Sequence, residues 1–207
     1  FLRRLRGEAG RLLSLIEDIL DLSRIESGKL VLRRMPLSVN EVVSAAVQTS
    51  RATAEKHGVA LVEALDGDLP RMMLDEVKMR QVVVNLLVNA IKFSPERGIV
   101  KVRTRREPQY VLIEVMDHGP GILPEETVHI FDLFGQGVRG PDRAAGGLGI
   151  GLHLVKRISE LHGAHVGVNS QPGGGSTFWV RLPLALADEA RHTAEAAATE
   201  AGAAGEM

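Results

Sequence analysis

Asp75-Glu-Val-Lys-Met-Arg-Gln-Val-Val-Val-Asn-Leu-Leu-Val-Asn-Ala-Ile-Lys-Phe-Ser94 is the stretch from which the rest of the chain is read. Its apolar residues recur at helical spacing, and Val or Ile fill most of the remaining faces. Stepping about 100° per residue from Asn85, the polar exceptions fall on one narrow strip: Lys78, Gln81, Asn85, Asn89 and Lys92. A helix apolar nearly all round is a buried helix, so its polar strip must meet something polar. One reading is a strip facing solvent. Asn, however, is a mediocre helix former and stands here twice in mid-helix, where a solvated face favours Lys, Glu or Arg. Asn85, Asn89 and Lys92, at i, i+4 and i+7, line up two amide oxygens and an ammonium. Amide oxygens can ligate a hard cation and Lys can neutralise phosphate, so the strip reads as a triphosphate–magnesium surface.

The bounds around this helix are loose. At 207 residues the chain has room for one good-sized domain and an appendage. Hydrophobic residues make up 44%, enough for a core, and aromatics at 3% make that core aliphatic. A net charge of −1 gives no footprint for nucleic acid. Cysteine is absent, which removes disulfides and thiol catalysis and suits a reducing compartment. No apolar run approaches the ~20 residues of a membrane span and no signal peptide is visible. The chain begins at Phe1, which reads as a piece of something longer.

Upstream, Leu2, Leu5, Ala9, Leu12, Ile16 and Ile19 alternate at spacings of three and four, predicting a long helix to about Ser27 with a bundle-forming face; dimerisation is one use, packing on its own domain the other. Gly28 ends it. A strand is predicted at Leu30–Met35, then a second helix opened by Pro36 and Ser38, with Ser38-x-x-Glu41 as a capping box and Gly58 as its stop. Val59–Leu65 and Arg71–Leu74 read as strands around the Asp66-Gly67-Asp68 turn. The decisive helix is capped by Asp75 and stopped by Ser94-Pro95. Downstream, Gly98–Arg106 and Gln109–Met116 form an antiparallel hairpin.

Asp117-His-Gly-Pro-Gly121 is a tight turn at a strand end, where a ligand can approach backbone, or only a turn. Pro124–Ile130 is a short helix, followed by Phe131-Asp-Leu-Phe134. Gly135 to Gly146 reads as a mobile lid, with Arg139 and Arg143 either reaching a ligand or solvated. Gly146-Gly-Leu-Gly-Ile-Gly151 then enters a helix from Leu152 to about His162, a phosphate-favouring entry that lacks the Lys-Ser/Thr of a Walker loop. Strands at Ala164–Ser170 and Thr177–Leu182 close the domain, and the Ala/Glu-rich remainder reads as a disordered tail or frayed helix.

In their order, Gln81–Ser94, Asp117–Ile122, Phe131–Phe134, Gly147–Leu152 and Gly173–Phe178 resemble the ATP-binding domain of sensor histidine kinases from two-component systems, within the superfamily shared with gyrase and heat-shock chaperones. Arg11–Lys29 resembles the second helix of that family's dimerisation hairpin. The resemblance implies a two-layer α/β sandwich with a mixed five-stranded sheet, preceded by one helix of a hairpin. It divides the chain into a hairpin helix at 1–28, a catalytic domain at 29–184 and a tail at 185–207. It further implies that Asn89 ligates Mg²⁺, that Asn85 and Lys92 meet the polyphosphate, and that Arg139 or Arg143 reaches the γ-phosphate. Asp117 would accept from the adenine amino group, with Gly119, Gly121, Ile122, Phe131, Phe134 and Thr177 around the nucleotide and Gly147, Leu148, Gly149, Ile150, Gly151 and Leu152 wrapping the phosphates.

The cofactors implied are ATP and Mg²⁺, and the partners a phosphoacceptor helix, a response regulator and a second copy in the whole protein, acting in the cytoplasm. Two departures stand out. None of the seven histidines lies in the family's acceptor context, and His118 occupies a position usually held by Asn. Two rival readings are a gyrase-type ATP hydrolase and a non-catalytic dimerisation module. The first needs a water-activating Glu where Asn85 stands.

Overall fold

A computed structural model of the chain describes residues 2–135 and 149–193, with side chains of the first helix from Leu12 onward, Ser14 excepted. That first helix, α1, runs from Leu2 to Glu26 and ends at Gly28, whose φ of +65° lets the chain turn out. Its last turns bury Leu22 and Ile25 in the domain core, while Leu12, Leu13, Ile16, Ile19 and Leu20 stay exposed.

The next strand is displaced from its predicted place. β1 covers Met35–Ser38 and pairs antiparallel with β3 (Arg71–Leu74) as a separate two-stranded sheet. Residues 30–34 lie outside the ladder, and the Leu30 N–H donates to the Arg24 carbonyl instead. The Arg33 N–H donates to Asp75 Oδ2 at 2.8 Å, and the Arg34 guanidinium donates to the Leu161 carbonyl. Pro36 lies within β1 rather than opening a helix, a placement an edge strand tolerates because the missing N–H need not pair. Ser38 caps α2 (Val39–Lys56) by accepting from the Glu41 N–H.

The two strands expected around the Asp66-Gly67-Asp68 turn are present as β2 (Ala60–Ala64) and β3, and they join different sheets: β2 runs parallel to β4 (Ile99–Arg106). Asp66 carries the chain out of the sheet. Its N–H donates to Thr104 Oγ1, its carboxylate accepts from the Arg106 N–H, and its carbonyl accepts from Asn40 Nδ2. α3 (Glu76–Phe93) follows as predicted, with Asp75 Oδ1 accepting from the Lys78 N–H at its start and Ser94 at its end. The predicted hairpin is present as β4 and β5 (Tyr110–Asp117). α4 is a single turn, Pro124–Thr127, shorter than the sequence suggested. After it come α5 (Ile150–Leu161), β6 (His165–Gln171) and β7 (Gly175–Pro183).

The main sheet is five-stranded and mixed, in the order β2-β4-β5-β7-β6, with only the β2–β4 pair parallel. α2, α3 and α5 cover one face. Beneath them Val100 and Val102 of β4, Val111, Ile113 and Val115 of β5, and Phe178, Val180 and Leu182 of β7 are buried against Val83, Leu87, Ile91, Leu154 and Ile158. On the opposite face Glu114 accepts from Arg103 and Arg105, and Trp179 lies across Gly167, where a Cβ would meet the indole at 2.1 Å. This face needs no second helical layer, so the sandwich has two layers. Residues 185–193 are helical and bury Leu186, Ala187 and Ala190, so of the two readings of this segment, disordered tail or helix, the described part is helix. Among the described residues no helix is long and apolar enough to cross a membrane.

Candidate functional site

The polar strip of α3 divides into two parts. Its first half faces α1: Lys78 Nζ lies 2.6 Å from Asp21 Oδ2, with the two side chains 17% and 12% exposed. Gln81 Nε2 donates to Asp21 at 3.1 Å and Asp18 at 3.5 Å. Burial pushes the Asp18 carboxyl above its usual range, against the pull of the Gln81 hydrogen bond. These two strip residues therefore hold α1 through its carboxylates.

The second half turns toward the glycine-bounded end of the sheet. Asn85 Nδ2 donates to the Gly151 carbonyl at 3.3 Å, joining mid-α3 to the first turn of α5. Asn89 is half-buried one turn on, and Lys92 Nζ sits 4.7 Å above the Phe93 ring. Gly149 caps α5 with φ +71°, and a Cβ there would lie 2.9 Å from the Phe134 backbone. Ile150 is buried and Leu152 packs against the core from the partly buried side. Arg139, Arg143, Gly147 and Leu148, with most of the predicted lid, lie outside the described residues.

Asp117 ends β5 at 7% exposure. Its Oδ1 accepts from the Gly119 N–H at 2.8 Å, and its carboxylate also accepts from the Ser176 N–H. Burial outweighs these bonds and pushes the carboxyl upward from its usual range. Such a group gains from any further donor, because a donor offsets the desolvation already imposed on the charge. The turn after it is held by Gly121, whose φ of +71° and whose approach to the Gln171 carbonyl, 1.9 Å from a notional Cβ, leave no room for a side chain. Ile122 donates its N–H to Ser170 Oγ. Phe131 is buried edge-on against Phe178, with ring centroids 6.2 Å apart, while Phe134 is 63% exposed.

A cavity of about 510 Å³ opens beside Asp117, bounded by Thr127, Val168, Ser170, Ser176 and Thr177 among others. Thr177 lines this cavity together with Asp117, and the register adds Ser176 to the wall. Asp117 pairs with Ser176, and Thr177 pairs with Met116, so the pleat puts Ser176 on the same face as Asp117 and Thr177 on the other. Ser170 and Ser176 went unnoticed in the sequence because each reads as an ordinary strand serine; only the cross-strand register brings them to Asp117. Asp18 and Asp21 also went unnoticed, as polar positions of an amphipathic helix. His162 is a third omission: at 1% exposure its Nε2 accepts from the Asp75 N–H and its Nδ1–H donates to the Ile158 carbonyl.

Asn-bearing helix, buried Asp turn and glycine-entered α5 thus converge around one end of the sheet. Residues 74–186 match the family described as histidine kinase-, DNA gyrase B- and HSP90-like ATPases. The chain is 36% identical over 185 residues to the circadian input-output histidine kinase CikA of Synechococcus elongatus (strain ATCC 33912 / PCC 7942 / FACHB-805), a match covering 88% of this chain and 24% of that protein. It is 37% identical over 177 residues to the alginate biosynthesis sensor protein KinB of Pseudomonas aeruginosa, covering 86% and 29% respectively. The chain therefore spans under a third of the length of these two relatives. Among solved structures, full-length ShkA in complex with AMPPNP superposes with a TM-score of 0.75 at 30% identity, over 86% of this chain and 37% of that one. The mycobacterial sensor histidine kinase MprB gives 0.62 at 27%, over 72% and 97%.

Proposed function

Because this chain belongs to the family of histidine kinase-, DNA gyrase B- and HSP90-like ATPases and carries the catalytic ATP-binding domain of a sensor histidine kinase, we propose that it moves the γ-phosphate of ATP to a histidine on a partner helix, for relay to a response-regulator aspartate. The observation that carries this reading is the Asn85–Gly151 bond, which ties the amide-bearing strip to the glycine-entered N-terminus of α5. A polyphosphate lying there would meet Asn89 and Lys92 on one side and the N-terminal N–H groups of α5 on the other. Asp117, short of donors in its buried site, would take the adenine amino hydrogen.

Asn89 supplies a neutral amide oxygen, a donor suited to a hard cation whose remaining ligands are phosphate oxygens and water, as Mg²⁺ prefers. Bound there, Mg²⁺ would neutralise charge on the transferring phosphoryl group. Arg139 or Arg143 would add charge from the lid. In the transfer, the acceptor imidazole nitrogen forms a bond to the γ-phosphorus as the bond to the β,γ-bridging oxygen breaks. ADP leaves and the imidazole proton is released. The protein's part is positioning and charge neutralisation. Hydrolysis is disfavoured, since Asn85 stands where a base would be needed and its amide nitrogen donates to a carbonyl.

In this reading α1 is the second helix of the phosphoacceptor hairpin, its exposed Leu12, Ile16 and Ile19 meeting the first helix and a second copy, and residues 29–184 are the catalytic domain. The reaction belongs to the cytoplasm, where ATP and the response regulator are. Incubation with γ-labelled ATP tests it. The chain alone should bind ATP without labelling itself or releasing phosphate briskly; a separate polypeptide carrying the first hairpin helix should become labelled on histidine. Acid-stable label on this chain, or rapid phosphate release, would mean that the chemistry is different.

A further inference from the structure

Asp117, Ser176 and Ser170 form one cross-strand row at the cavity end of the sheet, through the register pairs Asp117–Ser176 and Ser170–Ser176. Ser170 Oγ has three partners, each at 2.9 Å: the Ile122 N–H, the Gly175 carbonyl and Ser176 Oγ. A hydroxyl has one proton to donate and two lone pairs. The Ile122 N–H can only donate, and the Gly175 carbonyl can only accept. One assignment satisfies all three contacts at once. Ser170 donates to Gly175, accepts from Ile122 and accepts from Ser176. The single hydroxyl proton of Ser176 is then committed to Ser170, and Ser176 can present only lone pairs to the cavity. Its neighbour in the row, Asp117, is an acceptor as well. This part of the wall is made of acceptors.

We propose that Ser170 is a positioning residue for base selection: by holding the proton of Ser176 it keeps that hydroxyl an acceptor, so the site takes a purine that presents an amino group at this edge and rejects one that presents a carbonyl. The inference rests on the nucleotide reading above and deepens it. An exocyclic amino group has two hydrogens to offer two acceptors, whereas a carbonyl oxygen at the same place faces the lone pairs of Ser176 and leaves them desolvated. Ser170 acts through Ser176 and need not touch the base.

Titration calorimetry of the full chain with ATP and with GTP, both with Mg²⁺, tests this on wild type, Ser170→Ala, Ser170→Thr and Ser176→Ala. Ser170→Ala frees the Ser176 proton to point at a carbonyl, so the ratio of ATP to GTP affinity should fall about tenfold, the scale of one neutral hydrogen bond. Ser170→Thr keeps a hydroxyl in place and should keep the wild-type ratio. Ser176→Ala removes the acceptor while leaving Ser170 bonded to Ile122 and Gly175, and should also lower the ratio. A purely structural Ser170 would weaken both nucleotides alike, and an unchanged ratio in folded Ser170→Ala overturns the inference. Should that variant fail to fold, Ser176→Ala decides, an unchanged ratio again overturning it. A wild type that binds neither nucleotide overturns the nucleotide reading itself, and this inference with it.

Discussion

Replacing His162 by Gln should flatten the acid side of the stability profile. His162 is buried at the end of α5, its Nε2 accepting from the backbone N–H of Asp75 at 3.1 Å and its Nδ1–H bonded to the Ile158 carbonyl at 2.9 Å. Protonation would set a second N–H against the Asp75 N–H in the core. Burial accordingly holds the imidazole below its ordinary value of 6.5, with Arg34 pushing the same way and the Ile158 bond and Asp75 opposing. The unfolded chain therefore binds this proton more readily than the folded one. The stabilising contribution is complete above pH 6.5 and is lost as pH falls from there toward the lower folded value. If the folded imidazole stays neutral, one pH unit below 6.5 the loss reaches about 1.4 kcal/mol, since each unit of differential affinity is worth that much. Gln does not titrate, and its carbonyl can take over the acceptor role. Urea unfolding followed by the fluorescence of Trp179, the chain's single tryptophan, at pH 7.5 and 5.5 measures the difference. Wild type should lose up to about 1.4 kcal/mol more than His162→Gln over that interval. Parallel profiles for the two proteins would refute the assignment of the titration to this contact.

Two further outcomes follow from the site. Lys78→Met should leave the buried Asp21 carboxylate with Gln81 as its remaining α3 donor, at a cost of about 1–3 kcal/mol to the docking of α1; amide hydrogen exchange should accelerate around Leu22–Ile25 and not in β5, and equal protection in both proteins would count against the contact. Asp117→Asn should weaken ATP binding by about 1.5–3 kcal/mol, the worth of a charge-assisted bond, with the fold intact because the lost backbone bond is offset by removing a poorly solvated charge; retained affinity by calorimetry, or loss of the cooperative unfolding transition, would sink the role.

Much of the architecture was legible because local signals and tertiary demand agreed. α3 could be read from Asp75 to Ser94 since its caps, its apolar faces and its polar strip are all local. The β4–β5 hairpin followed from alternation over two adjacent strands. Long-range pairings gave no such signal. β3 finds β1 across α2 and β2, and β2 finds β4 across α3, so the two strands around the Asp66 turn could be read while their partners could not. Composition left the segment at 185–193 open between a disordered tail and a frayed helix, since alanine is as much a helix former as a filler of tails, and Leu186 is the one large apolar residue among those it buries.

The site was legible to the same depth. Asp117, Asn85 and the glycines announced themselves through residue types that are costly where they stand unless something needs them. Ser176 did not, because a serine in a strand costs little; Thr177 could be singled out from the sequence, but only the register shows that Ser176 shares the face of Asp117. The strip on α3 shows the same limit differently. All five polar positions lie on one line, and the sequence offered no reason to divide them. The division is made by α1, whose carboxylates at Asp18 and Asp21 occupy Lys78 and Gln81 and leave Asn85, Asn89 and Lys92 to the glycine end. One helix thus touches α1 at one end and the candidate phosphate site at the other. A nucleotide that shifts α3 therefore acts on the Lys78–Asp21 contact as well, with about two helical turns between Gln81 and Asn89.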